Sequence, residues 1–396
     1  MSPDYATYKP IFAACPLPFA YVDLDLLTVN MRQILQRAAG RRIRIASKSI
    51  RCVAIIEKIL AANPAFAGIM CFTAPEAVWL SRQGFDDLLL GYPCWRPEHL
   101  RAMCAEIARG KTLVAMVDSL EQIRHVGAIA AASGVVLPVC LDIDMSLQLP
   151  GLHFGVMRSP LRAAAAVLPL ADAIAAHQHL RLDGIMGYEA QIAGLGDRMP
   201  GQAAKNLLVR VLQQRSRVAV ARRRSAVVAA LRERGMRLRF INGGGTGSIE
   251  STIGEPDISE VTVGSGFFSP TLFDHYRAFR HQPAAGFAIE IVRRPAPDIY
   301  TCLGGGYVAS GSAGPEKLPQ PYLPRGATLL PLEGAGEVQT PIRYPGPERL
   351  ALGDPIFMRH SKAGELCERF NSLLAVFDGA IVDELPTYRG QGQAFL

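Results

Sequence analysis

Short apolar runs of strand length alternate with longer segments of helical period between residue 42 and about residue 280. This alternation predicts a parallel sheet whose strands are joined by crossover helices. The candidate strands are RIRIAS (42–47), GIMCF (68–72), DLLLGY (87–92), TLVAMVD (112–118), VVLPVCLDID (135–144), LDGIMGY (182–188), RLRFING (237–243) and EVTVGSG (260–266). Eight strands with helices between them favour a closed (β/α)8 barrel of the TIM type over an open sheet.

The texture of the chain changes after residue 280. Glycine and proline become frequent, and short β-like runs such as FAIEIVRR and DPIFMRH are separated by turn clusters. We therefore predict an α/β chain with the barrel over residues 26–282 and a smaller β-rich domain over 283–396. Residues 1–25, in which the strand-like run FAYVDLDLL begins, are assigned to the β-rich domain. Within the barrel, helix starts are predicted at Pro75-Glu76, Arg96-Pro97-Glu98 and Ser119-Leu120-Glu121.

Length and cysteine content agree with this division. The 396 residues accommodate a barrel of about 250 residues and a second domain of about one hundred. The apolar stretch from Ile11 to Val22 is broken by Pro16 and Pro18, so we expect neither a signal peptide nor a membrane span. Eight scattered cysteines without paired spacing are typical of reduced thiols, and we expect a cytoplasmic protein.

The net charge of +7 is carried mainly by arginine, and much of it lies between Arg210 and Arg239. The run Arg222, Arg223, Arg224 predicts a solvated helix face. No aromatic platform interleaves with these arginines, so we expect no nucleic-acid partner.

Active sites of such barrels lie at the C-terminal ends of the strands, where this chain has four notable features. Lys48 follows the first strand, Tyr188 closes the sixth, a glycine run closes the seventh at Gly243 to Gly247, and Gly264-Ser265-Gly266 closes the eighth. A partly desolvated lysine in this position can act as a Schiff-base nucleophile, because burial lowers its pKa. A solvated loop lysine is the alternative.

The segment INGGGTGS offers consecutive backbone N–H groups and the hydroxyl of Thr246, which suit the binding of a phosphate. Gly264 and Ser265 would add donors. Glycines also serve tight turns, but two such turns on adjacent strand ends favour a phosphate site, because barrel phosphate sites are commonly built after strands seven and eight.

Taken together, these features resemble fold-type III pyridoxal-phosphate enzymes, which include alanine racemase, D-threonine aldolase and D-serine dehydratase. The segments YEAQIAG (188–194) and RHSKAGELCERF (359–370) are similar to bacterial proteins called amino acid deaminase/aldolase. The resemblance implies that Lys48 holds pyridoxal 5′-phosphate as a Schiff base and exchanges protons at the substrate α-carbon. It also implies that Tyr188 packs on the pyridine ring, and that the phosphate is held by Gly244, Gly245, Thr246, Gly264 and Ser265.

Two positions depart from the family pattern. His153 stands where relatives have an arginine that contacts the cofactor, so it is a candidate catalytic, cofactor or substrate contact, with a packing role as the alternative. Thr262 stands where racemases have an arginine facing the pyridine nitrogen. Racemase chemistry is therefore not carried over at that position.

A divalent metal is a further expectation from the resemblance. The aldolases and dehydratases bind it through a His-x-Cys pair, but here Glu365 lies two residues before Cys367 and His360 lies seven before it, while Asn371 matches the aldolase spacing. Cys367 with either Glu365 or His360 could bind Mn, Mg or Zn, with water and substrate completing the shell. The alternative is a metal-free segment with a buried cysteine.

The C-terminal run TYRGQGQAF contains Arg389, whose guanidinium could hold a substrate carboxylate, also in the site of a partner subunit. An exposed tail is the alternative. Two-domain relatives are generally dimers, so the resemblance implies a homodimer.

The resemblance implies a lyase that cleaves small, D-configured β-hydroxy amino acids into glycine and an aldehyde. A D-serine dehydratase-type β-elimination, an amino acid racemase and a non-catalytic pyridoxal-phosphate carrier remain open. So does a sugar-phosphate barrel enzyme that uses Lys48 as its Schiff-base lysine. An additional domain of about 110 residues argues against the last two.

Overall fold

A computed structural model describes residues 3–312 and 314–396 of the chain. The strands are β1 (Phe19–Asp23), β2 (Arg42–Ala46), β3 (Phe66–Cys71), β4 (Leu88–Pro93), β5 (Leu113–Val117), β6 (Leu137–Asp142), β7 (Leu147–Leu149), β8 (Leu152–Phe154), β9 (Leu180–Gly187), β10 (Phe240–Gly243), β11 (Glu260–Val263), β12 (Ala285–Ala296), β13 (Ile299–Leu303), β14 (Gln320–Leu323), β15 (Thr328–Leu329), β16 (Gln339–Arg343), β17 (Pro355–Arg359), β18 (Ser372–Phe377) and β19 (Ala380–Pro386). The helices are α1 (Tyr5–Ile11), α2 (Leu24–Ala38), α3 (Val53–Ala62), α4 (Ala74–Arg82), α5 (Pro97–Ala108), α6 (Leu120–Ala132), α7 (Ala164–Ala175), α8 (Ala190–Ala193), α9 (Ala203–Glu233), α10 (Ile249–Ile253) and α11 (Ser265–Phe268).

Eight parallel strands form a closed barrel in the order β2, β3, β4, β5, β6, β9, β10, β11. The first and last strands close it in the register Ile45 opposite Val263. Each predicted strand overlaps one of these eight, and the predicted (β/α)8 barrel is confirmed. The strands formed where they were predicted because each is a short apolar run; all five residues of β5, for example, are buried.

The predicted helix starts are also confirmed. Helix α4 begins after Thr73, whose side chain accepts the N–H of Glu76, while the Glu76 carboxylate accepts the N–H of Phe72 at 2.7 Å. This reciprocal arrangement satisfies N–H groups that a helix start leaves without partners. Helix α6 is capped in the same way by Ser119, and α5 begins at Pro97.

Helix α9 contains the arginine run, and here one prediction was wrong. Arg222 is exposed, but Arg224 is only 1% exposed and lies on the buried stripe of the helix with Val220, Val227 and Leu231. Positions three and four apart share a helix face, so Arg224 faces inward with these apolar neighbours. Its charge is neutralised by buried carboxylates described below.

The second region is a mostly antiparallel sheet with the strand order β15, β16, β13, β12, β1, β18, β19, and β17 pairs with both β12 and β14. The predicted N-terminal strand is confirmed as β1, which pairs antiparallel with β12 and parallel with β18. The predicted fold class, a barrel plus a smaller β-rich domain, is therefore confirmed. The predicted boundaries at residues 26 and 282 stay predictions.

The described chain divides into two compact units. One extends to Ile34 and includes Lys48–Lys58 and Ser265–Ala394, and it contains the sheet; the other consists of Leu35–Ser47, Ile59–Gly264 and Phe395–Leu396, and it contains the barrel strands. Among residues 3–312 and 314–396, no helix has the length and apolar character needed to cross a membrane.

Candidate functional site

The glycine turn after β10 is organised around a buried glutamate. The carboxylate of Glu189 accepts the N–H of Gly244 at 3.2 Å and the hydroxyl of Ser248 at 2.9 Å, and it also accepts the hydroxyl of Thr252. Gly244 has a φ of +83°, a left-handed conformation that glycine adopts without strain. One side chain from the end of the sixth barrel strand therefore determines the shape of the turn after the seventh.

Arg224 completes this network from helix α9. Its Nη2 donates to the Glu189 carboxylate at 3.1 Å and to the carbonyl oxygen of Gly187 at 2.9 Å, and its Nη1 pairs with Glu255. A Cβ at Gly243 would lie 2.8 Å from Nη2, so the strand approaches the guanidinium as closely as it does because that residue is glycine. Buried charges persist in proteins when they are paired in this way.

Tyr188 lies against the same turn. A Cβ at Gly245 would lie 3.2 Å from Cε2 of Tyr188 and 2.7 Å from Cβ of Ala193, so a larger residue at 245 would displace the ring. Burial raises the pKa of Tyr188 to about 12, and the hydroxyl stays protonated at neutral pH. The structure thus brings together Tyr188 and the glycine turn, as the strand ends predicted.

Two N–H groups of the turn already have hydrogen-bond partners in the protein. That of Gly244 donates to Glu189, and that of Gly245 donates to Ser248 Oγ at 3.1 Å. Phosphate binding by these two residues stays a prediction, and it would require both N–H groups to exchange partners. The carbonyl oxygen of Thr246 accepts Arg37 Nη2 at 2.7 Å.

Lys48 lies in the one-turn 3-10 helix Ser47–Ser49, directly after β2. Its side chain is exposed, whereas its main chain is tightly held: the carbonyl oxygen accepts Arg51 Nε at 3.0 Å, and a Cβ at Gly364 would collide with that oxygen. The hydroxyl of Ser49 lies 3.5 Å from that of Ser265, which opens α11 after Gly264 and the eighth strand. Lys48 therefore follows the first barrel strand, as predicted, and Ser265 lies close to the residue after it.

A small niche adjoins Tyr188 at the end of β6. Its lining includes Asp142, Arg158 and Tyr188, and its volume of about 10 Å³ has room for about one water molecule. Burial first, and the carboxylate of Asp118 second, raise the pKa of Asp142 to about 7, while Arg158 opposes the shift. The guanidinium of Arg158 lies 5.9 Å from the ring centre of Tyr188 and 5.5 Å from that of Tyr92.

His153 lies in β8, which forms a hairpin with β7. Both of its ring nitrogens are buried and, among the described residues, neither has a hydrogen-bond partner. Buried imidazole nitrogens without partners are uncommon, and a ligand is one way to satisfy them. The predicted contact with cofactor or substrate is compatible with this observation and stays a prediction.

Among the described residues, the hydroxyl of Thr262 on β11 is hydrogen-bonded to one side chain, the neutral amide of Asn242. Asn242 Nδ2 donates to Thr262 Oγ1 at 2.8 Å and to Glu260 at 2.9 Å, so the amide separates the hydroxyl from that carboxylate. The eighth strand therefore presents a neutral hydroxyl at this position, where racemases have an arginine.

The three residues predicted to bind a metal have other roles or lack partners. The Glu365 carboxylate accepts the N–H of Ser310 at 3.0 and 3.1 Å, and the Cys367 thiol donates to the carbonyl oxygen of Ile50 at 3.2 Å. Burial raises the pKa of the Cys367 thiol well above its usual value. Burial, with Arg359 second, lowers the pKa of His360 to about 3, and its ring nitrogens have no partner in the described chain.

Two of these residues, Glu365 and Cys367, do not fit a metal ion as they stand. A thiolate is the form that binds metals, whereas this thiol is protonated and hydrogen-bonded. The described chain contains no group of three or more histidine, cysteine, aspartate or glutamate side chains that could hold a metal. A metal site at His360, Glu365 and Cys367 stays a prediction that these contacts do not support.

The C-terminal run packs against the segment that carries Lys48. The N–H of Tyr388 donates to the carbonyl oxygen of Arg51 at 2.8 Å, and both Thr387 and Tyr388 are almost fully buried. The exposed-tail alternative is therefore wrong for these two residues. Arg389 itself is exposed and lines a surface cleft of about 560 Å³ together with Arg369 and Glu384.

Reasoning from the sequence missed four residues: Glu189, Arg224, Asp142 and Arg158. Three of them had a usable signal. Glu189 and Asp142 lie at the C-terminal ends of barrel strands, where polar residues mark active sites. Arg224 lies at helical spacing from Val220, Val227 and Leu231, which places it on the apolar stripe.

A barrel with a lysine after its first strand, glycine turns after its last two strands and an added sheet has the architecture of fold-type III pyridoxal-phosphate enzymes. The chain matches the family model described as "Alanine racemase, N-terminal domain" over residues 22–269, and it belongs to that family. The resemblance inferred from the motifs is thereby confirmed.

Among its curated relatives is the 3-hydroxy-D-aspartate aldolase of Paracoccus denitrificans (strain Pd 1222), 26% identical over 253 residues. That alignment covers 63% of this chain and 60% of the relative's length.

Three solved structures share the fold across both regions. D-threonine aldolase from Filomicrobium marinum has a TM-score of 0.78 at 19% identity, covering 95% of each chain. D-threo-3-hydroxyaspartate dehydratase from Delftia sp. HT23 has a TM-score of 0.76 at 19% identity, covering 95% of this chain and 98% of that one. A cysteine-to-alanine variant of D-threo-3-hydroxyaspartate dehydratase, described as the metal-free form, has a TM-score of 0.73 at 19% identity over 95% and 98% of the two chains.

Proposed function

We propose that this protein is a pyridoxal-phosphate-dependent lyase that cleaves small D-configured β-hydroxy amino acids into glycine and an aldehyde. The observation that carries the proposal is Lys48, which directly follows the first barrel strand in a chain of this family. The relatives named as D-threonine aldolase and 3-hydroxy-D-aspartate aldolase support the reaction type and the configuration of the substrate.

Two features of the described residues are compatible with a bound cofactor. Both ring nitrogens of His153 are buried without a hydrogen-bond partner, and the lack of a side chain at Gly245 leaves space for the Tyr188 ring beside the glycine turn. In this proposal Lys48 holds the cofactor covalently and Tyr188 packs on its ring. Thr246, Gly264 and Ser265 bind the phosphate, together with Gly244 and Gly245 if their N–H groups are released.

Pyridoxal phosphate, when bound, supplies an electron sink for the pair left on the α-carbon when a bond to that carbon breaks. The protein's own residues decide which bond this is. A base that removes the β-hydroxyl proton directs cleavage to the Cα–Cβ bond. Lys48 would then deliver a proton to the α-carbon, which completes glycine.

A dehydratase is the second candidate, favoured by the likeness to D-threo-3-hydroxyaspartate dehydratase over almost the whole chain. In that reaction Lys48 removes the α-proton and the β-hydroxyl leaves, giving a keto acid and ammonia. A racemase is less well supported, because Thr262 offers a neutral hydroxyl where racemases have an arginine.

No step of the proposed reaction is assigned to a metal. The Cys367 thiol is protonated and donates to a carbonyl oxygen, and the Glu365 carboxylate accepts a main-chain N–H. These contacts differ from those that metal-bound thiolate and carboxylate would make.

We also propose that the protein works in the cytoplasm as a homodimer on a free amino acid, with Arg389 available to a substrate carboxylate. The eight free cysteines and the exposure of the Arg389 side chain are compatible with this. Sedimentation analysis and cell fractionation test these two points separately.

The deciding experiment is a substrate panel on the purified protein loaded with pyridoxal phosphate. We expect D-threonine and 3-hydroxy-D-aspartate to yield glycine and an aldehyde, with no reaction of the L-isomers. Keto acid from D-serine instead of aldehyde would favour the dehydratase, and interconversion of D- and L-alanine would favour the racemase.

The Lys48→Ala variant should not turn yellow with the cofactor, and borohydride should attach no cofactor to it, whereas Lys58→Ala, which changes a lysine on α3, should behave like the wild type in both tests. A wild-type protein that takes up no cofactor would refute the proposal.

A further inference from the structure

Asp142 has a buried carboxylate that has no role in the reaction proposed above. It ends the fifth barrel strand, is 9% exposed and, in the described part of the chain, its carboxylate has no hydrogen bond or ion pair. The neighbouring carboxylate of Asp144, in contrast, is engaged: it pairs with Arg162 Nε at 2.7 Å and accepts the N–H of Ser146 at 2.7 Å.

The surroundings of Asp142 suit a small polar group. The niche that it lines together with Tyr188 has room for about one water molecule, and a hydroxyl group is of similar size. Tyr188 is the residue proposed to pack on the cofactor ring. A hydroxyl carried by a substrate next to that ring would therefore find a carboxylate without a partner.

The charges around Asp142 adjust its basicity. Asp118 and Asp144 face it with like charge and raise its pKa, Arg158 faces it with opposite charge and lowers it, and Tyr188 is neutral. The largest contribution is burial, and the result is a pKa of about 7. General bases work best when their pKa lies near the operating pH.

We propose that Asp142 is the general base that removes the proton of the substrate's β-hydroxyl. This inference rests on the proposed aldol cleavage. The hydroxyl proton moves to the carboxylate, the O–H electron pair becomes the second C–O bond of the aldehyde, and the Cα–Cβ pair stays on the α-carbon. A proton from Lys48 then completes glycine, and Asp142 returns its proton to water, so no oxidant or reductant is needed.

The test uses the Asp142→Asn variant and measures two processes separately: removal of the β-hydroxyl proton and proton transfer at the α-carbon. Cleavage of D-threonine is followed as acetaldehyde release, and exchange of the glycine α-hydrogen in D2O is followed by NMR. Exchange needs Lys48 and the cofactor but no β-hydroxyl. We expect cleavage to fall by about 100-fold or more, exchange to stay within about threefold, and uptake of pyridoxal phosphate, measured by absorbance, to be unchanged.

A matched control is Asp183→Asn, which removes another buried aspartate of a barrel strand, one that is paired with Arg239 at 2.6 Å. It should cleave D-threonine like the wild type. In the wild type, kcat/KM should fall towards acid pH with a midpoint near pH 7. Asp142→Glu should recover part of the cleavage that Asp142→Asn loses. Arg158→Gln should move the midpoint to higher pH, because Arg158 lowers the pKa of Asp142.

Two results overturn the assignment while leaving the proposed function intact. One is cleavage by Asp142→Asn within about threefold of the wild type. The other is a parallel loss of cleavage, exchange and cofactor uptake, which would mean a structural role. A wild-type protein that exchanges the glycine α-hydrogen but releases no aldehyde from any β-hydroxy amino acid refutes the aldolase proposal, and this inference with it.

Discussion

Replacing Glu189 by glutamine tests whether the buried network holds the glycine turn. The side chains of Glu189 and Arg224 are each 1% exposed, so solvent screens their interaction little. Removing one partner of a buried ion pair typically costs about 3–5 kcal/mol, because the remaining charge is left without compensation. Arg224 keeps Glu255, so we expect the lower value, about 3 kcal/mol in the free energy of unfolding.

Glu106→Gln is the matched control for urea denaturation. Glu106 is also buried and accepts the Ser81 hydroxyl at 2.9 Å, but its arginine partners Arg82 and Arg109 are 58% and 65% exposed. Pairs with exposed partners contribute about 0–1 kcal/mol. The two variants should therefore differ by about 2 kcal/mol, and equal unfolding midpoints would refute the reasoning.

The Glu189→Gln variant also tests whether the network affects phosphate binding specifically or the whole site. If Glu189 shapes the turn that is proposed to bind the phosphate, Glu189→Gln should weaken the binding of pyridoxal 5′-phosphate by about tenfold, or about 1.4 kcal/mol. Binding of pyridoxal, which lacks the phosphate, should change little, and absorbance titrations with both compounds measure the difference. An equal loss for both compounds would mean that the network acts on the whole barrel end.

Three further predictions follow from individual contacts. In the wild type, the pKa of Asp142 is about 7 in the folded protein and about 4 in the unfolded chain. The uncharged carboxyl group therefore makes its full contribution to stability below about pH 4, and this contribution is lost as the pH rises through about 7. Relative to Asp142→Asn, wild-type stability should thus fall by about 4 kcal/mol between pH 4 and 8 in denaturation curves. Gly364→Ala should displace the Lys48 main chain and slow formation of the yellow form, which absorbance follows. Dialysis against a chelator should leave cleavage unchanged, and a loss restored by Mn²⁺ would contradict our interpretation of Cys367.

The barrel could be predicted because each of its strands and helix starts is determined by residues that are close together in the sequence. Each strand is an apolar run, such as LVAMV in β5, and each helix start has its own cap, such as Thr73 or Ser119. Parallel strands also end on one face, so Tyr188 and the glycine turn could be brought together without knowledge of side-chain contacts.

The network around the turn could not be predicted in the same way, because its members are far apart in sequence. Arg224 lies 35 residues from Glu189, and Thr252 lies 63 residues from it. A run of three arginines on a polar helix is usually solvated, and the ends of neighbouring strands had to be in place before Glu189 could be recognised as the partner. The partner of the Gly244 N–H could not be predicted for the same reason, since it is the side chain of Glu189 at the end of another strand.

The carboxylates of the barrel separate into two kinds, and the difference bears on function. Asp144, Asp183 and Glu189 are buried but paired with arginines, so their charge is compatible with the fold at neutral pH. Among the residues that the structure describes, Asp142 has no such partner, and its ionisation opposes folding. A group that lowers stability in this way persists where its reactivity is needed, and groups with shifted pKa values accordingly cluster at active sites. Because Asp142 shares its niche with Tyr188, the unpaired carboxylate lies where the proposed reaction needs a base.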